Sequence, residues 1–349
     1  MEDYINAISR AGPYISQVLD GFLDGFEDLV RGELCLYRGE LNDAEQYLKR
    51  ATIKARESDQ YVTQNRALVY LMAIDIFRGD LVSASAKLKE MEALLSEKDY
   101  GVRYTMYDVA RGFYNHALDQ NEQMPEWLKG NFSPFSHPAF LENYANRARA
   151  RYHYQTRNYK TLLAFIKKAT EFPAILLDKI ELKVLQALSL YQLKQRDAAI
   201  AALVEAYRLA EPNKIIIPFS QLAKDMRALS AAALKDCVFN ADAAHDKTCP
   251  IPKDWLEDIN RVSSTYAKRR AKMISEYRMI NNCNGEIKLT KQETTILKDL
   301  SKGLSRPEIA SSRKISIKTV KRITITIYNK LYVTSLPEAI RVAMDRKII

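Results

Sequence analysis

Residues 289–349 read LTKQETTILKDLSKGLSRPEIASSRKISIKTVKRITITIYNKLYVTSLPEAIRVAMDRKII, and three helix starts within them are spelled alike. Thr290 is followed three positions later by Glu293, Ser305 by Glu308 and Ser335 by Glu338. In each pair the hydroxyl accepts from a free N–H of the first turn, while the carboxylate reaches back to the N–H of the capping residue. Ser316 can cap a further helix that begins at Ile317, so the spacing predicts four short helices joined by tight turns. In the third, Val320, Ile323, Ile327 and Leu331 form an apolar stripe at helical spacing. Lys318, Lys321, Arg322 and Asn329 point away from that stripe, with Thr319 near the helix start. One signal competes: residues 323–327 alternate with period two and are β-branched throughout, which is a strand pattern. The caps on either side and the length of the segment favour a helix.

Charge separates this stretch from the rest of the chain. From Arg261 to the end there are 20 Lys and Arg against 7 Asp and Glu; before it there are 33 against 36. A basic segment attached to a near-neutral body suggests a polyanion-binding head. The 349 residues exceed what one core organises, and an apolar content of 47% is ample for packed cores. No run of about 18 uncharged apolar residues occurs, so no membrane span is expected. The start Met1-Glu2-Asp3 is not a signal peptide, and a cytoplasmic protein is expected. Cys35, Cys237, Cys249 and Cys283 lack metal-ligand spacing, and His116, His137 and His153 share none. The chain holds no Gly-x-x-x-x-Gly-Lys-Ser/Thr loop and no Ser, Cys or His arrangement that makes a nucleophile. It is therefore read as not an enzyme, with no catalytic residue, metal site or cofactor.

Before the head the sequence repeats itself. Counted from Gly39, Ala44 lies at plus five, Leu48 at plus nine and Ala51 at plus twelve. The same offsets give Ala84, Leu88 and Met91 from Gly79, Leu162, Ile166 and Ala169 from Arg157, and Ala199, Leu203 and Ala206 from Lys194. A period of about 39 fits if one copy is degenerate; that copy would start at Leu118 and place Trp127 on the leucine offset. The three offsets share one helix face, and a small residue at plus five admits a neighbouring helix, so each unit is a helical hairpin that buries its apolar face only by stacking. This resembles the tetratricopeptide repeats in a longer form. Residues 1 to about 30, cut by Gly12, Gly21 and Gly25, are read as an incomplete first unit.

Tyrosines and arginines interleave in the middle of the array. They fit a core with a solvated basic face, which is the favoured reading. The alternative is a ligand or partner groove built by Arg103, Tyr107, Tyr114, Arg147, Arg151 and Tyr154. Residues 131–138, with Pro134 and Pro138, read as a loop, and residues 281–286 as a hinge.

Ala210-Glu211-Pro212 followed by Pro218-Phe219 looks like the end of the helical repeat region in MalT-like regulators of the LuxR type. The head carries that resemblance further, through Leu289-Thr290, Glu293, Ile296-Leu297, Gly303, Ser305, Glu308-Ile309-Ala310, Ile315-Ser316, Thr319-Val320-Lys321, Ile327, Lys330-Leu331, Val333 and Ala339-Ile340. It departs from the family at Ile323, where a His is usual, and at Gln292, Pro307, Arg313 and Tyr332. The resemblance implies an all-α chain: a tetratricopeptide-like superhelix over residues 1–239, a linker with one helix over 240–288, and a four-helix LuxR-type helix-turn-helix domain over 289–349. It further implies that the third helix of the head enters the major groove and the fourth pairs two heads. The DNA face would be Ser305, Arg306, Ser316, Lys318, Thr319, Lys321, Arg322, Asn329 and Lys330.

The ATP-binding domain that such regulators carry ahead of their repeats is not found, so the chain is expected to be the C-terminal part of a longer protein or a short relative. The expected function is a sequence-specific transcription regulator, an activator by resemblance, dimeric or larger on double-stranded DNA and touching RNA polymerase. An inducer or a regulatory protein would bind its array. The alternative is a repeat-based interaction scaffold whose basic head binds nucleic acid without specificity.

Overall fold

The computed structural model describes residues 2–18, 21, 23–130, 139–171, 175–241, 250–280, 289–331, 333, 335–345 and 348–349, with backbone only for 139–143, 236–241 and Asn329. The loop expected at 131–138 and the hinge at 281–286 lie outside the described residues. The described residues are helical, with no strand among them. In order, the helices are α1 Glu2–Val18, α2 Phe26–Arg38, α3 Leu41–Glu57, α4 Tyr61–Arg78, α5 Leu81–Ala93, α6 Arg103–Ala117, α7 Glu126–Lys129, α8 Ala139–Gln155 and α9 Tyr159–Ala169. There follow α10 Leu176–Gln192, α11 Arg196–Ala210, α12 Ile217–Ser220, α13 Ala223–Ala241, α14 Lys253–Ile280, α15 Lys291–Ser301, α16 Arg306–Ser312, α17 Ile317–Leu331 and α18 Leu336–Asp345. Among the described residues no helix is long and apolar enough to cross a membrane. Two compact units divide the chain at Ala267, within α14.

In the first unit, α2 with α3, α4 with α5, α8 with α9 and α10 with α11 form hairpins, and α3 also packs on α4, α5 on α6 and α9 on α10. The offset positions read from the sequence are the buried face of each second helix, with Leu88 alone half-buried. Close approach is real: a Cβ on Gly32 of α2 would stand 2.7 Å from Leu48 Cγ on α3. The hairpin turns share a backbone device. Gly39 (φ 83°), Gly79 (φ 81°), Arg157 (φ 62°) and Lys194 (φ 66°), the expected unit starts, are all left-handed. Asp119 (φ 63°) is left-handed too, and it corrects the register of the degenerate copy. That copy starts one residue after Leu118, so Met124 and Leu128, both buried, take the small and leucine places, and Trp127 does not. The N-terminal segment also differs from expectation. Gly21 and Gly25 are left-handed and break the chain, but α1 runs through Gly12 and Pro13.

Inside the array the first helices bury a charged cluster. Arg66 of α4 pairs with Glu33 of α2 at 3.5 Å. The Tyr70 hydroxyl donates to Glu33 and also bonds the Tyr144 hydroxyl. Arg147 of α8 donates from Nε to Glu181 Oε2 (2.8 Å) and from Nη2 to the Tyr37 hydroxyl (2.8 Å). Arg151 donates from Nε to Glu181 Oε1. Burial works to raise the Glu181 carboxyl, but Arg147 and Arg151 outweigh it and bring it down to about 2. Asp178 stands only 3.6 Å from Arg147 Nε, and neither of its oxygens finds a hydrogen bond. Burial therefore wins over the attraction of Arg147 and pushes its carboxyl up to about 7.

The second unit, Lys268–Ile349, contains the four helices α15 to α18. Its core takes Ile296, Leu297 and Leu300 from α15, Ile309 and Ala310 from α16, Val320, Ile323, Ile327 and Leu331 from α17, and Ala339 and Ala343 from α18. The capping boxes Thr290/Glu293 and Ser305/Glu308 are both closed. Ser316 accepts from the Thr319 N–H (3.0 Å) and Ser335 from that of Glu338 (3.4 Å). The β-branched run is helical throughout. Thr324 and Thr326 donate to the carbonyls of Val320 (2.8 Å) and Arg322 (3.0 Å), so their hydroxyls are satisfied within the helix. Arg313, one of the departures from the resemblance, forks onto Asp299 through two hydrogen bonds of 2.9 and 3.0 Å.

Two outcomes follow from these features. Holding a side-chain-bearing residue left-handed costs about 1 kcal/mol, so Lys194→Gly raises and Gly79→Ala lowers the free energy of array unfolding by about that much in urea titrations; equal stabilities would contradict the shared turn. A carboxyl whose folded pKa is raised adds stability that is complete below about pH 4 and lost by about pH 7. Asp178→Asn lacks that loss, so its melting temperature should gain on the native chain between pH 5 and pH 8; a gap independent of pH would show that Asp178 is ionised throughout.

Candidate nucleic-acid interface and the array cavity

The core holds α17 by one side and leaves the other open. Lys318, Lys321, Arg322 and Ile325 are exposed along that side, and Val320, Ile323, Thr324 and Ile327 are buried behind it. Lys318, Lys321 and Arg322 form no ion pair or hydrogen bond from their side chains with another described residue. The face thus presents three uncompensated cations on a helix whose backbone is fixed by a packed core. Thr319 is half-buried, its hydroxyl bonded to that of Ser316 at 2.8 Å, so these two act together as the cap of α17. Ser305 caps α16, and Arg306 is exposed beside it. Lys330 donates to Glu293 Oε2 (2.7 Å), which ties the end of α17 to the start of α15. Burial works to raise the Glu293 carboxyl, and the bonds from Lys330 and Thr290 outweigh it and hold it below its ordinary range. Asn329 lies on α17, but its side chain is outside the described residues, as is Tyr332. Ile325, 60% exposed in the middle of the cations, has no place in the sequence reading of this face. Its signal was present: it falls seven residues after Lys318, two turns along the same side.

Of the six residues considered for a groove in the array, two line a cavity there. Arg147 and Arg151 stand in the wall of a cleft of about 750 Å³, part of it open to solvent. The other walls are Tyr37 from α2, Tyr70, Ala73 and Phe77 from α4, Phe113 and Ala117 from α6, Tyr144 from α8 and Tyr266 from α14. Phe77 and Tyr266 stack with centroids 4.8 Å apart. The remaining four lie elsewhere. Tyr114 is buried with its hydroxyl 2.7 Å from Ser85 Oγ, and Tyr154 is buried and donates to Asp225 Oδ2 (2.7 Å). Arg103, half-buried, donates to the Tyr100 carbonyl (3.0 Å) and covers the Tyr104 ring. Tyr107 is half-buried, its hydroxyl raised by burial. Arg147 and Arg151 are themselves 5% and 8% exposed, so they are cluster members and not solvated arginines.

Residues 23–236 match the family described as the MalT-like TPR region, and residues 288–343 match the family described as bacterial regulatory proteins, luxR family. Over 74 residues the chain is 38% identical to the transcriptional regulatory protein YdfI of Bacillus subtilis (strain 168), a match that spans 21% of this chain and 35% of that protein. With most of its length in the first match, the chain belongs to the family of the MalT-like TPR region, and behind that region it carries a domain similar to those of bacterial regulatory proteins of the luxR family.

Proposed function

We infer that the chain is a cytoplasmic transcription regulator that binds a specific sequence of double-stranded DNA. Its head is residues 289–349, its array is residues 1–239, and residues 240–288 connect them. The observation that carries this reading is the exposed side of α17, where Lys318, Lys321 and Arg322 are unpaired and aligned. Cations on one side of a helix release counterions from phosphates, and Lys or Arg at the same positions donates to guanine edges in the major groove. Ile325 offers an apolar contact to a thymine methyl. Ser305, Arg306, Ser316 and Thr319 stand at helix starts, where phosphate contacts set the register on the duplex. Lys330 joins them only by exchanging Glu293 for a phosphate.

A single helix buries too little surface for specific affinity, so two heads read two half-sites. The array binds an inducer or a regulatory protein and governs that pairing, and contact with RNA polymerase makes the chain an activator, as the family resemblance implies. An interaction scaffold with a non-specific basic head is the competing reading, favoured by the same unpaired cations. A salt titration of the native chain on target and scrambled DNA separates the two, since only the regulator keeps a preference, and the double variant Lys321→Ala/Arg322→Ala tests the face. Each lost contact to a base edge costs about 1–3 kcal/mol, so preference for the target over scrambled DNA should vanish and the salt dependence should shallow, with array unfolding unchanged. Preference retained in the variant would place the reading face elsewhere.

A further inference from the structure

We propose that the array cavity is a binding site for a small organic carboxylate with a flat aromatic or apolar body, clasped by Arg151. Arg151 hydrogen-bonds through Nε to Glu181, and its two terminal nitrogens make no hydrogen bond to another described residue, although the side chain is nine-tenths buried in the cavity wall. Such a fork matches the two oxygens of a carboxylate. Beside it, Arg147 keeps Nη1 buried without a hydrogen-bond partner among the described residues. Three arginines, Arg66, Arg147 and Arg151, face Glu33, Glu181 and Asp178, and burial pushes the Asp178 carboxyl up. A carboxylate at that fork would give Arg151 the partners its terminal nitrogens lack.

The rest of the wall argues for the body of the ligand. The Tyr70, Phe77, Phe113 and Tyr144 rings line the cleft, and the Tyr70 hydroxyl is already committed to Glu33 and Tyr144. The Tyr37 hydroxyl is taken by Arg147. His116 and Gln221 complete the lining, so the walls offer ring faces, a cationic donor and two further polar side chains to a flat anion.

The inference rests on the reading of the array as the sensing part of the chain, and the test addresses the cavity by itself. Naphthoate is titrated into the full chain against its uncharged isostere naphthamide, with the melting temperature and calorimetric affinity read for each. A saturable stabilisation by naphthoate at millimolar concentration, with naphthamide binding at least about tenfold more weakly, is expected. Arg151→Gln should remove that difference. Because this variant disturbs Glu181, Ala73→Phe serves beside it: it fills the cleft, leaves the arginines in place and should also abolish binding. Equal binding of the two compounds, no binding of either, or naphthoate binding unchanged in both variants would overturn the proposal. Naphthoate binding that leaves DNA affinity untouched would uphold the site and remove its regulatory role.

Discussion

A left-handed residue at the end of each first helix is the constraint on which the array depends. At Gly39, Gly79, Asp119, Arg157 and Lys194 the chain turns back at spacings of 40, 40, 38 and 37 residues. Such a residue ends the helix and sends the backbone directly into the next one. The same small-residue and leucine positions then meet the preceding helix in every unit. Two of the five turns are glycine; the other three hold side chains in a conformation that costs energy, and packing of the hairpin supplies it.

Once the turns align the first helices, their inner sides converge, and charge is buried where they meet. Ion pairs removed from water are weak contributors to stability, because desolvation opposes the attraction. The cluster around Arg147 is better understood through its incomplete parts. Glu181 is well paired and its carboxyl is held low, Asp178 is poorly paired and its carboxyl is pushed up by burial, and Arg147 keeps a buried donor with no partner among the described residues. A core selected for stability alone would have apolar residues here. Groups left this way beside an open cleft give the array a polar feature that a ligand can complete.

Most of the fold was legible because its signals are local. The four caps of the head each need only residues three apart, and all four are present. In α17 the apolar stripe and the caps prevailed over the period-two pattern, and the threonine hydroxyls that favour strands found carbonyls one turn back. The degenerate repeat was misread by one residue, because the sequence there shows Trp127 at the expected place and only the backbone reveals that Asp119 is the turn. The cavity was hardest to read. Arg147 bonds Tyr37 across 110 positions, and no periodicity links residues so far apart. Tyr114 and Tyr154 share the composition of the site yet fill the core, since helix face and not residue type decides the matter.

The head offers a basic side of α17 whose geometry is set by a core of eleven buried residues. The central claim is that this side reads sequence and not merely charge. Selection of the DNA bound by the full chain from a random pool tests it most directly. Enrichment of one motif, arranged as two related half-sites, is the predicted result; a pool that stays random after successive rounds at physiological salt would contradict it.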